Sequence, residues 1–221
     1  TVNSGGSLNM GTASMLGTGT FTLASGANLS IGSAAGIVFD PSDASGNIQV
    51  SNTRSFSTGA NYTYDGATAQ ATGTGLPATV NNLTINNTGP ATVTLSANIA
   101  VAGALNIQAG TFDANAKTVT VTGLSTVSGG TYLASTATQT FNGGLTVSGG
   151  TFTGSSGTVT VTTVTLSSGT LTAPSASGAF NLTGTWSNNG GTFTHNSGTV
   201  TFNANGAQTI GGSAATAFNN L

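Results

Sequence analysis

Few side chains in this sequence could do chemistry. The 221 residues hold four carboxylates, all aspartate (Asp40, Asp43, Asp65 and Asp113), two basic residues (Arg54 and Lys117), one histidine (His195), one tryptophan (Trp186) and no cysteine. Glycoside hydrolysis needs a pair of carboxylates facing each other across the sugar. Asp40 and Asp43 are close in sequence, but the Asp-Pro-Ser-Asp string they bracket has the composition of a turn. The same two residues, with Asp65, are the weak candidates for Ca²⁺, which takes 6–8 oxygens from carboxylates and carbonyls; the Gly-Gly-x-Gly-x-Asp calcium repeat is absent. His195 has no second His or Cys with which to share a metal and reads as a solvated corner residue. Lys117 near Asp113 could form an isopeptide bond to an asparagine, with an ordinary surface pair as the plainer reading. The expectation is therefore no enzyme, no cofactor and no metal site.

The elements that would position such residues are as uniform as the chemistry is sparse. Only 3% of the residues are charged, against about a quarter in an ordinary soluble domain. Yet 37% are hydrophobic, with Val, Ile, Leu and Phe at regular intervals, so the chain can build a core that disordered sequences cannot. Dense Gly and Thr and an apolar alternation of period 2 exclude helices and point to strands. No apolar run approaches the 18 residues of a membrane-spanning helix. A net charge of −2 gives no electrostatic reason to bind nucleic acid or insert into an anionic membrane. The first residues do not read as a secretory leader: either export information was removed or these residues come from inside a longer protein.

The alternation recurs. Gly-Thr precedes Phe112, Tyr132, Phe152, Leu171 and Phe193, at spacings of 20, 20, 19 and 22 residues. A second element, KTVTV at 117–121, GTVTV at 157–161 and GTVTF at 198–202, falls between them. Units of ~20 residues with two or three short strands are too small for a propeller blade and fit one coil of a parallel β-solenoid. The fold class is thus all-β, a parallel β-helix, right-handed by the crossover rule, of about 11 coils in a rod about 50 Å long. In LTVSGGTFTG (145–154) Leu145, Val147 and Phe152 point inward and Thr146 and Thr151 outward; Val159 and Val161 point inward on the next run. Phe112, Tyr132, Phe152, Leu171 and Phe193 form an internal ladder, and glycines supply positive φ at the corners.

Residues 40–76 break this rhythm and read as irregular coils or a protruding loop, holding three of the four aspartates, the single arginine, and Tyr62 and Tyr64. These two tyrosines share one face of a strand and, if exposed, could stack on sugar or a neighbouring rod; core packing is the equal alternative. Trp186 reads first as core, with a sugar-stacking surface as the alternative. Thr-x-Thr steps at 118–120, 158–160 and 199–201 could form a flat array of the kind found in β-solenoid ice-binding proteins, although a wettable strand face requires no less.

Solenoid ends expose unpaired strand edges, and no capping element is evident. Joining Phe218-Asn219-Asn220-Leu221 to Thr1-Val2-Asn3-Ser4-Gly5-Gly6 yields FNNLTVNSGG, similar to VNNLTINNTG at 80–89 and FNGGLTVSGG at 141–150. The expectation is a single module, residues 1–221, that is one period of a tandem array or a unit docking head to tail, with copies of itself as its first partner.

The strings GNIQVSNTRSFSTGANYTYDG (46–66) and GLPATVNNLTINNTG (75–89), followed by the LTVSGGTF coils, resemble very large repetitive surface proteins of Bacteroidetes-type bacteria, many of which are type IX secretion substrates. The resemblance spans essentially the whole chain. It implies an extracellular, cell-surface location and a fibre or adhesin-like stalk, and offers no catalytic residues. The expected role is a structural module of an extracellular filament; the alternative is an adhesin-type module binding glycans.

Overall fold

Alternation of apolar and small polar residues, interrupted every few positions by Gly, Asn or Ser, makes each strand short and each corner tight. The computed structural model describes residues 1–89 and 91–221, and every strand in it pairs in parallel. Ten coils stack along one axis. Their first face is a column of Ser7–Asn9, Asn28–Ile31, Asn61–Tyr64, Asn82–Asn86, Leu105–Ala109, Ser125–Val127, the leading halves of Leu145–Thr153 and Val164–Thr172, Trp186–Asn188 and Ile210–Gly211. The second face runs from Gln70–Ala71 through Thr92–Thr94, Thr111–Asp113 and Thr131–Leu133, then the trailing halves of the two nine-residue strands, to Thr192–Thr194. The third carries Thr79–Val80, Ile99–Val101, Val119–Val121, Gln139–Phe141, Thr158–Val161, Ala179–Leu182 and Val200–Phe202. A separate pair, Phe21–Leu23 with Arg54–Phe56, precedes this third column. Ten coils stand where the period predicts about eleven, because one coil is much longer than the rest. No helix long and apolar enough to cross a membrane occurs among the described residues.

Register is like on like. Ile107 pairs with Val127 and Val127 with Val147. On the second face Val93, Phe112, Tyr132, Phe152, Leu171 and Phe193 follow one another in successive coils. The expected ladder is therefore present, with Val93 below it. Phe112 and Tyr132 have ring centroids 5.5 Å apart, and Tyr132 lies stacked on Phe152 at 5.1 Å with 8° between planes. Leu145, Val147, Phe152, Val159 and Val161 are buried while Thr146, Thr151, Thr158 and Thr160 face solvent. Burying a Phe side chain contributes about 1.5–3 kcal/mol, so a continuous column of them sets the stability of the rod.

Two corners differ from the expectation that glycine is there for positive φ. A Cβ on Gly130 would lie 2.6 Å from the Gly110 carbonyl oxygen, and one on Gly150 would lie 2.3 Å from that of Gly130. At both positions the need is close backbone approach between coils. The corner into the third face uses positive φ without glycine, at Asn115 (45°) and Ala116 (56°), and again at Asn196 and Ser197. Asn115 Nδ2 donates to the Leu95 carbonyl and Asn196 Nδ2 to that of Ala173, bonds that hold the asparagine in a conformation it tolerates better than most residues.

Coil length departs strongly from ~20 residues at the second coil. Asn28 stacks on Asn61, 33 residues on, and the excess lies in 32–53. Met15 pairs with Ile48 across it. Residues 54–71, the remainder of the segment read as irregular, return to register as Arg54–Phe56, Asn61–Tyr64 and Gln70–Ala71.

Phe152→Ala is expected to lower stability by about 3–5 kcal/mol, because the cavity opens inside a stacked column. Thr151→Ala, one residue away and facing out, should stay within about 0.5 kcal/mol of the parent. Guanidinium denaturation of the two variants checks the difference.

Candidate functional site

The aromatic residues that could have met a ligand are in the core. Tyr62 and Tyr64 are buried on the first face, stacked between Leu29 and Leu83 and between Ile31 and Ile85. Their hydroxyls donate to the carbonyls of Ser57 (2.7 Å) and Thr72 (2.6 Å). Trp186 is also buried, packed edge-on to Phe180, Phe193 and Phe218, and its Nε1 donates to Thr216 Oγ1 at 3.0 Å. The exposed alternative for all three is thus corrected: alternation turns the large member of each pair inward, where its ring fills the column and its polar tip finds a partner.

The carboxylates do not converge. Asp40 Oδ1 accepts from the Ser42 amide and hydroxyl, both at 2.8 Å, and Asp43 Oδ1 accepts from the Ser45 amide at 2.9 Å. Both are turn caps, and the Ser42 bonds hold the Asp40 carboxyl below its usual range. Asp65 sits on the first-face corner with Oδ1 unpartnered, and burial pushes its carboxyl up. Asp113 caps the Asn115 amide at 2.7 Å. No group of three His, Cys, Asp or Glu side chains that could hold a metal occurs among the described residues. His195 Nδ1 accepts from the Ser197 amide in a corner. The Lys117 carbonyl accepts from Ser135 Oγ and Gln139 Nε2.

At the ends, Val2 pairs with Leu23 and Asn220 with Thr199. Leu23 belongs to the strand paired with Arg54–Phe56, and Thr199 leads into the third-face strand Val200–Phe202. The sequence parallel instead places Val2 with Ile85 or Val147, on the first face. The difference comes from Asn3–Gly6, which form a turn before the first-face strand begins at Ser7. Phe218 packs on Trp186, Phe193 and Phe202, and Leu221 is exposed.

Threonine columns are longer than the three Thr-x-Thr steps indicate. Thr92, Thr111, Thr131, Thr151, Thr170 and Thr192 stack without interruption on the second face. On the third, Thr120, Thr140 and Thr160 give way to Asn181 and then Thr201.

Arg54 is the functional surprise. It is 2% exposed, and its guanidinium donates to four backbone carbonyls: Val50 (3.0 Å, from Nε), Val38 (3.2 Å), Pro41 (3.3 Å) and Asp43 (3.2 Å). A signal for this existed in the sequence, because Phe56 must point inward and period 2 then sends Arg54 the same way. Its donors fasten the long excursion 38–50 to the solenoid. Asn47 does the same from the other side. Its Nδ2 donates to the carbonyls of Gly11 (2.9 Å) and Ala13 (2.6 Å), and its Oδ1 accepts from the amides of Gly32 (3.1 Å) and Ser33 (3.0 Å). Buried Gln70 adds bonds to the carbonyls of Ile31 (2.8 Å) and Ser33 (3.0 Å). Between these fixed walls lies an open groove of about 440 Å³, lined by Thr12, Ser14, Ser33, Ser45, Gln49 and Thr68 with small backbone segments. No charged residue lines it.

The chain matches no family model, no curated protein and no solved structure.

Arg54→Met should cost on the order of 3 kcal/mol, since it leaves buried carbonyls unpaired. Amide hydrogen exchange should quicken across 38–50 and remain slow across 119–171. The pH profile follows from the shifted groups. The three tyrosine phenols are held above their ordinary value by burial. Above about pH 10 the unfolded chain releases phenolic protons that the native state retains, so stability falls as pH rises. On the acid side Asp65 favours the fold when protonated and Asp40 when ionised, so their contributions oppose each other as pH falls through the carboxylate range. Denaturant midpoints against pH, with tyrosinate absorbance appearing only as the fold is lost, check this.

Proposed function

We propose that this chain is a shaft module of an extracellular bacterial fibre, whose function is length and stiffness, extended by further coils stacked on either end. The observation that carries the proposal is the continuous parallel pairing through ten coils, with open strand edges at both ends of the column. Leu8 on the first coil and Phe193, Phe202 and Phe218 on the last are only partly covered, although each belongs to an inward column. Continuation of the same column by a second copy or by flanking coils covers them, and pairs the exposed edge amides and carbonyls as well. A net charge of −2 offers little repulsion between neighbours. The hydrogen-bonded coils leave few flexible protease sites, and two basic residues give trypsin-like enzymes little to cut. The likeness to repetitive surface proteins supports the cell-surface location and the type IX route.

Analytical ultracentrifugation and negative-stain microscopy of the purified chain test this. Rising concentration should give unbranched rods in multiples of about 50 Å, the length of ten strands at ~4.8 Å spacing. Leu8→Lys, which places a charge on the open first coil, should return the population to single rods. Single rods of the parent chain at every concentration would remove the proposal.

A further inference from the structure

We propose that the groove beside the long coil is a binding site for a neutral oligosaccharide. The inference is separate from fibre assembly: the groove lies between the first coil and the long second coil and does not include Leu8.

The volume, about 440 Å³, falls within the range of small-ligand sites. The lining decides the chemistry. Five hydroxyl-bearing residues (Thr12, Ser14, Ser33, Ser45 and Thr68) and Gln49 line the space, together with small glycines and alanines. Gln49 Nε2 is already committed to Ser14 Oγ (3.0 Å) and the Gly46 carbonyl (2.8 Å), which leaves its Oε1 as an acceptor. An ionic ligand would lose its hydration and meet no counter-charge. The nearest cation, Arg54, directs its donors to carbonyls. An apolar ligand would cover these hydroxyls without partnering them. A ligand dense in neutral hydroxyls, each both donor and acceptor, matches what is present.

The groove is also held ready. Asn47 ties the 11–13 and 32–33 walls together, Gln70 ties down 31–33, and Arg54 fixes 38–50, so little ordering cost remains at binding. This is where a coil departs furthest from ~20 residues, and three buried polar side chains hold the departure in a single shape. A loop that served only as a connection would need none of them.

The test uses the whole chain on a panel of immobilised oligosaccharides, neutral and acidic, followed by calorimetric titration of the best neutral ligand. Binding to at least one neutral oligosaccharide is expected, tenfold or more tighter than to its uronic-acid or sialylated counterpart. Thr68→Trp, at an exposed lining position, should weaken binding at least tenfold by filling the space, and Thr160→Trp on the third face should leave it unchanged. Both variants should keep the parent's denaturation midpoint. No neutral ligand on the panel, a preference for acidic ones, or binding unaffected by Thr68→Trp would overturn the proposal. Concentration-dependent rod length is read separately, so loss of either property leaves the other interpretable.

Discussion

Everything in this molecule depends on parallel stacking in register. One coil cannot bury its apolar face; it needs the coil above and the coil below. Backbone hydrogen bonds between coils fix the spacing, and the spacing brings each inward side chain onto its counterpart. Tyr132 stacked on Phe152, and Leu105 above Leu83, are the same event repeated at different positions. A one-residue slip would send the whole inward set to the surface. The glycines at 130 and 150 belong to the same constraint, because at that corner there is no room between coils for a side chain.

Polar residues enter the columns only where their hydrogen bonds close. Gln139 takes an inward position on the third face, where Tyr132 Oη donates to its Oε1 and its Nε2 meets Ser135 Oγ and the Lys117 carbonyl. Asn188 replaces an aliphatic residue on the first face and bonds Thr216 Oγ1 and the amides of Gly190 and Gly191. Asparagines 28, 61 and 82 form a ladder at the edge of the first face, each amide donating to the one below. Ser125 is the exception: its hydroxyl is buried between Leu105 and Leu145 without a partner. Arg54 follows the rule at higher stakes, with a buried cation made tolerable by four carbonyl acceptors. A charge that elsewhere would mark a surface here anchors an insertion.

Scarcity of charge, together with repetition, also shapes the functional reading. Threonine on three faces gives a β-branched, wettable surface with little ionic character. The regular coils thus look alike to any partner, and the molecule differs from itself only at its ends and at the long coil. Those are the two places to which assembly and recognition are assigned.

Alternation and period were enough to establish the architecture from sequence. The ladder from Phe112 to Phe193 follows directly from Gly-Thr spacing, because a parallel solenoid turns sequence period into spatial neighbourhood. The inward and outward sets of Leu145–Thr153 follow from period 2 alone. What sequence left open was decided where the period fails. Tyr62 and Tyr64 are core because of the register of their coil, which crosses an insertion whose length the repeat does not predict, and Trp186 is core because it stands in register with buried Val164. Arg54, Asn47 and Gln70 come together around 32–53 through contacts spanning 4 to 39 residues, with no motif to join them. Local pattern is sufficient when each coil copies its neighbour; once a coil departs, only the three-dimensional path of the chain determines which polar groups meet.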